Sequence, residues 1–408
     1  MACVLLVSPE RDKALAIAAT PRAVLAAPEG LGWFLAHAPI DPALVRHAST
    51  AFVAACVAVV LGFLTRPALV IALGAGGYLF ALAQLGAPVV HDMHLLWFTA
   101  VLLASPCADA LSLDAMLRDR PRGALAADYG APLVVARSLL ACVYFFPGAH
   151  KLATSGLAWA SAENLRNLLH SKWYEHAHVP ALRLDQHPWL LTAGGAFVLA
   201  FELGFPLLVH VRRARIWLAL AGVVFHVSSE VFFLIPFLSL WGTYACLVDA
   251  RAILGDAHLG PRPRTARRGW LAATTLTGAL LLAPAIGAGA RGQMQAYPFA
   301  CYPTFAWQVG PTLPALTLRI ESDGRDEIRV HRPATQDGWG HAWRALGLYG
   351  SDPSEEALRA IVAEMRASSP FPPRARVVHV HVGEVVTDPA AWDEAPRLGR
   401  EVWAGPVP

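Results

Sequence analysis

Charge is what this sequence most conspicuously lacks. Asp, Glu, Lys and Arg make up only 15% of its 408 residues, whereas 55% are hydrophobic, and soluble domains carry about 25% charged residues. The composition therefore argues against a water-soluble domain and favours an integral membrane protein that crosses the bilayer several times. The net charge of +3 is too small to indicate nucleic acid binding, and the sequence carries no nucleic-acid-binding motif.

Cysteine is also scarce, and the six cysteines are scattered along the chain. None of them forms a C-x-x-C pair, so the sequence has no recognisable zinc or redox motif. Cys56, Cys142 and Cys246 lie in apolar stretches, where cysteine usually behaves as a small buried hydrophobic residue. The first twenty residues resemble a secretory signal peptide poorly, because charged residues interrupt them at positions 10–13.

Long apolar runs are what the sequence has instead. Eight segments of roughly 13–22 residues are candidate membrane spans, although several are at or below the usual length. The candidate spans are residues 49–64, 67–85, 91–105, 131–147, 188–209, 215–234, 236–248 and 270–287. The hairpin around Pro236 is also compatible with a single broken, partly re-entrant segment. The prediction is an α-helical polytopic membrane bundle of about eight spans.

The basic residues predict how this bundle is oriented. If the eight spans alternate in direction, Arg66 and the arginine clusters at 118–122, 212–215 and 251–268 all fall on one side of the membrane. That side should be cytoplasmic. The protein is therefore predicted to be a multi-pass protein of the cell membrane, with the loop 148–187 and the C-terminal region outside the cytoplasm.

Composition divides the chain into three parts. Residues 1–48 are predicted to be an N-terminal interfacial segment, residues 49–290 the transmembrane domain, and residues 291–408 a small extracytoplasmic α+β domain. In the first part, residues 21–37 can form an amphipathic surface helix anchored by Trp33 and Phe34. The third part is predicted from its patterns to contain a hairpin at 316–332, a helix at 353–368 and a strand at 376–386.

The stretch 131–156 organises the rest of the chain. It is apolar up to Pro147 except for Arg137 and Ser138, and the Pro147-Gly148 pair is expected to break the helix. His150 and Lys151 follow at once. A lysine in this position is ordinarily an anchor that reaches to water. An amphipathic helix is predicted directly afterwards, at 155–174, lying flat on the outer membrane surface.

Polar residues are predicted to gather near the outer face. His91, Asp92 and His94 open the third span, His150 and Lys151 end the fourth, and His226 and Glu230 share one face of the sixth. Such a pocket beside apolar helices suits a lipid-soluble ligand with a polar head, such as a quinol. Because burial disfavours the charged form of an amine, a lysine there can be neutral, and a neutral amine can accept a proton. His226 or His91 would then hydrogen-bond a quinone oxygen.

Three further groupings of polar residues have an interpretation outside catalysis. Arg137 and Glu202 lie about 9 Å and about 10 Å from the cytoplasmic ends of their spans, which predicts an ion pair that links the two helices. His91 and His94 have a usable spacing for metal ligands, but no third ligand is indicated, so no metal site is predicted. His379 and His381 share one strand face and are expected to be surface residues.

The sequence around Lys151 resembles the vitamin K-dependent gamma-carboxylase-like family, also called the HTTM domain. In that family an aromatic pair, a glycine and a Lys-Leu pair close a transmembrane helix, and a tryptophan follows soon after. The matching residues here are Tyr144, Phe145, Gly148, Lys151, Leu152 and Trp159. Residues 112–115, read Ser-Leu-Asp-Ala, and residues 226–241 also resemble the family, and the likeness extends over about residues 40–250.

The resemblance implies a specific chemistry. In the family's carboxylases the lysine next to leucine is the base that deprotonates reduced vitamin K, and carbon dioxide and oxygen are co-substrates. By resemblance, Lys151 would be that base, His150 would stand where those enzymes often carry a second lysine, and His91 would complete the catalytic set. Asp92, His94, His226, Glu230 and Trp159 would contact the substrate.

This sequence departs from the family in ways that leave the reaction open. His91-Asp92 stands where carboxylases carry Asn-His, and the C-terminal region leaves little room for their propeptide site. The first hypothesis is therefore a quinol-using carboxylase-type lyase or a quinol oxygenase or epoxidase. The alternative is a non-catalytic membrane protein that binds lipid, or a partner through Trp339, Trp343 and Trp403. A transporter is a third hypothesis, but no inverted repeat supports it.

Overall fold

A computed structural model of the protein describes residues 2–20, 22, 25, 40–86, 91–109, 112–117, 126–248, 268–294, 296–301, 305–322, 325–330, 354–368 and 370–407. The predicted surface helix at 21–37 falls outside these residues except for 22 and 25, and Trp339 and Trp343 also lie outside them. The helices in the described part are α1 (Ala2–Leu6), α2 (Glu10–Ala18), α3 (Pro42–Leu61), α4 (Thr65–Gly86), α5 (His94–Leu103), α6 (Leu113–Met116), α7 (Ala126–Ser155), α8 (Ala162–His176), α9 (Pro188–Leu208), α10 (Arg215–Phe233), α11 (Leu238–Thr243), α12 (Arg268–Ala290) and α13 (Glu355–Ser368).

Six of the described helices are long and apolar enough to cross a membrane: α3, α4, α7, α9, α10 and α12. The count of about eight spans is not confirmed. The predicted span 91–105 forms only the ten-residue helix α5 after a short 3₁₀ turn, and the predicted span 236–248 forms the six-residue α11 and a 3₁₀ turn. Ten residues of helix rise about 15 Å, half of a hydrocarbon core of about 30 Å.

The prediction that Pro147-Gly148 ends a helix is wrong. Helix α7 runs for 30 residues and contains both Pro132 and Pro147 in its interior. A proline removes one intrahelical hydrogen bond, but a helix continues through it where packing on its sides holds the chain in place. Helices α9 and α12 supply that packing. Lys151 therefore lies within α7, two turns beyond Tyr144 and on the same face.

The loops at one end of the bundle are joined by the Ser-Leu-Asp-Ala segment. The Ser112 side chain accepts a hydrogen bond from the backbone N–H of Ala115 at 3.0 Å and so caps α6. The Asp114 carboxylate accepts hydrogen bonds from the backbone N–H groups of Leu64 and Thr65, at 2.9 and 2.8 Å, where α4 begins. The loop before α4 and the loop after α5 therefore lie at the same end of the molecule.

The amphipathic helix predicted at 155–174 exists, but protein covers its apolar face. A 3₁₀ turn over Gly156–Ala160 leads into α8, which packs on α9. Trp159 is buried with the apolar residues of α8, whereas Leu157 is 79% exposed. This segment forms a cap over the end of the bundle rather than a surface helix with its apolar side in lipid.

In its described residues, the C-terminal domain is a four-stranded antiparallel sheet with helix α13 packed on it. The strands are β1 (Thr312–Ser322), β2 (Arg325–Val330), β3 (Ala375–Val386) and β4 (Arg397–Pro406), in the spatial order β2-β1-β3-β4. The predicted hairpin, helix and strand are confirmed, and β4 was not predicted. Apolar residues of α13 and of the sheet form its core: Leu318, Ile320, Leu358, Ile361, Val362, Val378 and Val380.

The connection from α12 to the sheet is tied to the membrane helices by hydrogen bonds. Trp97 Nε1 donates to the carbonyl of Pro298 at 2.6 Å, and Trp159 Nε1 donates to the carbonyl of Phe305 at 2.6 Å. The Asn164 side chain accepts from the backbone N–H of Val309 at 2.8 Å. The connection is therefore held down at both ends, and Phe305 lies over α8.

Candidate functional site

A cavity of about 570 Å³ lies between α7, α9 and α10, beneath the cap formed by α8. Most of its lining is Leu, Val and Phe. The charged or strongly polar side chains among its lining residues are few: His94, Tyr144, Lys151, Glu202, His226, Ser228 and Ser229. A cavity of this size and composition suits a mostly apolar small molecule that is oriented by a small number of polar contacts.

Lys151 and Glu202 form a buried ion pair at this cavity. The distances from Lys151 Nζ to the two carboxylate oxygens of Glu202 are 2.6 and 2.8 Å. Lys151 is 5% exposed and Glu202 is 3% exposed. The amine also lies 4.8 Å from the centre of the Trp159 ring, a cation–π distance. The lysine is therefore dry, as predicted, but it is paired with a carboxylate.

The predicted ion pair between Arg137 and Glu202 is wrong. Arg137 Nε donates to the backbone carbonyl of Cys246 at 2.8 Å, and Glu202 pairs with Lys151. The prediction ended α7 at Pro147, so it left no helical residue beyond that point to face Glu202. Lys151 lies about 21 Å further along the helix than Arg137.

A glycine makes the close approach of Glu202 to α7 feasible. A Cβ atom at Gly148 would lie 2.7 Å from the Glu202 Cβ, closer than real Cβ contacts are. Gly148 is one turn before Lys151 on α7, so the missing side chain provides the space into which the glutamate fits. The glycine of the Gly-x-x-Lys-Leu pattern therefore positions the partner of the lysine.

A second hydrogen-bonded group lies in the cavity wall around Tyr144, two helical turns before Lys151 on α7. The Tyr144 hydroxyl is 2.8 Å from His226 Nε2 and is also hydrogen-bonded to the Tyr244 hydroxyl. A Cβ at Gly222 would lie 2.1 Å from the Tyr244 hydroxyl oxygen, so glycine is needed there for the tyrosine to reach α7. His226 Nδ1 is buried and has no hydrogen-bond partner in the part of the chain that the structure describes.

The other predicted site residues are distributed more widely. Trp159 and His94 line the cavity, and His94 Nε2 lies 3.1 Å from the carbonyl of Ala300. His150 does not line the cavity and faces α12, where its Nε2 lies 2.7 Å from the carbonyl of Gly289. Asp92 is buried away from the cavity lining, and Glu230 is exposed although it follows His226 by one turn.

The backbone of His91 lies in the 3₁₀ turn before α5, and its side chain is outside the described part of the structure. The structure therefore brings Lys151, His94, His226 and Trp159 around one cavity. It does not bring His150, Asp92 or Glu230 to that cavity.

Two site residues were missed or misassigned on the sequence alone. Tyr244 lies in a segment that was interpreted as a membrane span, and no pattern marked it. A signal for Glu202 did exist, because it is the one acidic residue in the apolar run 188–209. Such a residue needs a partner, and the choice between Arg137 and Lys151 depended on where α7 ends.

Comparison with known protein families shows which family the chain belongs to. The sequence model of the HTTM domain matches residues 33–249, which is more than half of the chain. The chain belongs to the HTTM domain family. The match confirms the resemblance seen around Lys151, and together with the apolar helices it makes the chain a membrane protein of this carboxylase-related family. No curated protein and no solved structure matches the chain.

The HTTM match contains α3 to α11 and therefore both polar groups of the cavity. Helix α12 and the C-terminal domain lie beyond it. The cavity nevertheless uses two residues from that later part, Cys301 and Phe305. The connection to the C-terminal domain thus closes a site whose polar residues all come from the HTTM domain.

An ionic cluster fixes the loop that roofs this HTTM cavity. Asp185 accepts hydrogen bonds from Arg183 at 2.7 and 2.9 Å, and its Oδ2 lies 3.1 Å from His170 Nε2 of α8. Burial by itself raises the pKa of Asp185, but the hydrogen bonds and charges of Arg183 and His170 together lower that pKa below its usual value. The neighbouring Leu182 and Leu184 line the cavity.

Among the residues that the structure describes, no three His, Cys, Asp or Glu side chains are placed to hold a metal ion. The polar groups of the HTTM cavity are instead arranged as two hydrogen-bonded sets, Lys151–Glu202 and Tyr144–His226–Tyr244.

Proposed function

We propose that this HTTM protein is a membrane enzyme that binds a lipid-soluble quinol in its apolar cavity and takes a proton from a ring hydroxyl with the Lys151–Glu202 pair. The observation that carries the proposal is the ion pair at the wall of an apolar cavity. Taking two charges out of water costs several kcal/mol for each ion, and apolar residues in their place are often as stable. Because stability alone does not explain the buried Lys151–Glu202 pair, its position beside an open cavity favours a catalytic role.

The pair itself can act as the proton acceptor. In a dry site, transfer of one proton from Lys151 Nζ to Glu202 gives a neutral amine beside a neutral carboxylic acid. The amine can then accept a proton from a ligand hydroxyl at hydrogen-bond distance. The resulting ammonium group stays beside the new negative charge and stabilises it, because electrostatic interactions are strong where water is excluded.

The residues of the cavity fit a ring with polar groups at two ends. Tyr144 and Lys151 are seven residues apart on one face of α7, which separates their levels by about 10 Å. His226 also lines the cavity, and its Nε2 lies 2.8 Å from the Tyr144 hydroxyl. The apolar walls between them suit an aromatic ring. When bound, a reduced quinone would supply the acidic hydroxyl and two electrons for the reduction of oxygen.

Quinol oxidation is the reaction class that we propose, and addition of carbon dioxide to a second substrate is the further step that the family resemblance implies. Purified protein in nanodiscs, supplied with reduced 2-methyl-1,4-naphthoquinone and oxygen, is expected to oxidise the quinol faster than protein-free nanodiscs do. Lys151→Ala is expected to reduce the protein-dependent rate by about a hundredfold or more, the usual contribution of a positioned acid–base group. Labelled carbon dioxide in the same assay tests the carboxylation step.

The control for that assay is the double variant Lys151→Met/Glu202→Leu. It removes both charges and fills their space with apolar side chains, so it should fold and remain inactive. An unchanged rate in Lys151→Ala would remove Lys151 from the mechanism. Loss of activity together with loss of folding in every variant of the pair would reduce the pair to a structural role.

A non-catalytic lipid-binding protein is the second candidate. The observation that favours it is the tight pairing of Lys151, whose Nζ contacts both carboxylate oxygens of Glu202. Under this alternative the quinone binds and no turnover follows. Binding of a partner through the tail aromatics has less support, because Trp403 packs against the core of the C-terminal domain and stacks near Arg359.

We also propose the orientation given by the basic loops, with the protein in the cell membrane and the C-terminal domain outside the cytoplasm. The support is the shared end of the loops before α4 and after α5. A cysteine introduced at the exposed Leu398 position should react with a membrane-impermeant maleimide on intact cells. One introduced at exposed Val211, between α9 and α10, should react only after lysis.

A further inference from the structure

The two helices at the start of the chain pack into the core of the bundle. Leu5 of α1 and Ile17 of α2 belong to the same buried apolar cluster as Phe52 of α3 and Phe80 of α4. Helix α1 contacts α3 and α11, and helix α2 contacts α3 and α4. Apolar packing therefore holds α1 and α2 in place, and a charge buried in the same contact opposes it.

Glu10 is a buried carboxylate at the start of α2. Its side chain is 1% exposed, and its Oε1 accepts a hydrogen bond from Lys13 Nζ at 3.1 Å. Its Oε2 is buried and has no hydrogen-bond partner in the part of the chain that the structure describes. An ionised carboxylate in this position gives up its hydration at Oε2 and gains no partner in exchange.

Asp92 brings a second negative charge to Glu10. It lies in the 3₁₀ turn before α5 and is 7% exposed. Burial is the largest influence on the pKa of Glu10 and raises it, the charge of Lys13 lowers it, and the charge of Asp92 raises it again. The net result is a pKa above the ordinary value of 4.5. Among the described residues, α3 and α4 bring no further charge to Glu10.

We infer that α1 and α2 form a pH-dependent latch, which is docked on α3 and α4 while Glu10 holds a proton and is released when Glu10 and Asp92 are both ionised. Two like charges repel each other strongly where water is excluded, and release lets Glu10 regain its hydration. Release also removes the contact of α1 with α11, the helix that directly precedes Tyr244. The latch acts without any ligand in the cavity, so it is independent of the proposed function.

The direction of the pH dependence follows from the burial of Glu10. A carboxyl group whose pKa is higher in the docked state binds its proton more tightly there, so protonation favours docking. This stabilisation is present in full below the ordinary pKa of 4.5 and is lost as the pH rises through the raised pKa of the docked state. A difference of one between the two pKa values changes the docking equilibrium about tenfold.

Thiol labelling of the Ile17→Cys variant measures docking. Ile17 is 9% exposed and is covered while α2 is docked, whereas the native Cys3 of α1 is exposed. The full-length variant in nanodiscs is treated with N-ethylmaleimide between about pH 5 and about pH 9, and adducts are quantified by mass spectrometry. The labelling rate at position 17 is divided by the rate at Cys3, which corrects for the effect of pH on thiols. This ratio is expected to rise by about tenfold or more across the range.

Three substitutions in the Ile17→Cys background assign the rise to its cause. Glu10→Gln keeps the shape of the side chain without its charge, so the ratio should stay low and change by less than about twofold. Asp92→Asn removes the opposing charge and should make the rise smaller. Asp12→Asn is the matched control, because Asp12 lies on the same helix with 67% of its side chain exposed, and it should leave the rise unchanged.

Four results would overturn the latch. The ratio does not change with pH in the Ile17→Cys variant, or it rises equally in Glu10→Gln, so that another group controls docking. Asp92→Asn retains the full rise, so that the two carboxylates do not interact. Labelling of Cys142, which is buried in α7, rises in parallel with labelling at position 17, so that the whole bundle opens rather than α1 and α2 alone.

Discussion

Removal of one partner of the Lys151–Glu202 pair should destabilise the protein far more than removal of both. Glu202→Leu leaves an amine that is 5% exposed, with only the Trp159 ring nearby at 4.8 Å among its described contacts. Breaking a buried ion pair from one side costs about 3–5 kcal/mol. Lys151→Met leaves the carboxylate of Glu202, which makes no other described hydrogen bond, and should cost a similar amount.

The double variant Lys151→Met/Glu202→Leu should restore most of that stability, because two apolar side chains can replace a buried pair at about zero net cost. The double-mutant cycle therefore has an expected coupling of about 3 kcal/mol or more. The assay is unfolding of purified protein in mild detergent by denaturant titration, with all four proteins measured in the same micelles.

Two outcomes would contradict this reasoning. If Glu202→Leu lies within about 1 kcal/mol of the wild type, the amine has access to water and the pair is of the surface kind. If the double variant is as unstable as the sum of the single variants, the two side chains do not interact. Either result would also weaken the proton-transfer proposal, which requires a dry pair.

Three further predictions follow from the same contacts. Gly148→Ala should displace Glu202 and lower both stability, by about 1–3 kcal/mol, and quinol oxidation, measured by unfolding and turnover. Gly222→Ala should push Tyr244 away from α7 and lower stability by a similar amount, about 1–3 kcal/mol. It should weaken quinone binding more than it slows proton removal. In turnover assays this effect would be seen as a rise in KM with a smaller change in kcat. The ionised Asp185 side chain should stabilise the 177–187 loop, and proteolysis of that loop in the wild type and in Asp185→Asn measures this effect. The effect should be full above the ordinary pKa of 3.8. It should disappear as the pH falls through the lower pKa that Asp185 has in the folded state.

Each of these has a control in the same chain. Gly130→Ala lies on α7, where an added Cβ meets no atom within 4 Å, so it should be neutral or stabilising by up to about 1 kcal/mol. Equal effects of Gly130→Ala and Gly148→Ala would refute the packing argument. Tyr244→Phe alone removes the hydroxyl without adding a Cβ at position 222, so an equal rise in KM in that variant would assign the effect to the lost hydroxyl and not to the clash. A proteolysis difference that grows as the pH falls would reverse the sign predicted for Asp185.

Local pattern was sufficient in the C-terminal domain. The hairpin at 316–332 and the helix at 353–368 were predicted from turn residues and helix-start residues, and both exist with bounds shifted by a few residues. Strand β4 was missed because its burial pattern is mostly exposed and shows no clear alternation. An edge strand of this kind is held by backbone pairing with β3, and side-chain hydrophobicity does not reveal such pairing.

What the sequence by itself determined is the class of the protein. Its apolar runs and scarcity of charge require a membrane bundle, and the residues around Lys151 identify the HTTM family. The sequence also placed a lysine near the end of an apolar helix, because that depends only on local order along the chain.

What only the tertiary structure decided is the partner of that lysine. The pair with Glu202 depends on how far α7 continues past Pro147 and on how α9 is placed along it. The missing side chain of Gly148 then admits the carboxylate. Hydropathy reports which segments avoid water, but it contains no information about the relative height of two helices, and that height decides whether Lys151 or Arg137 meets Glu202.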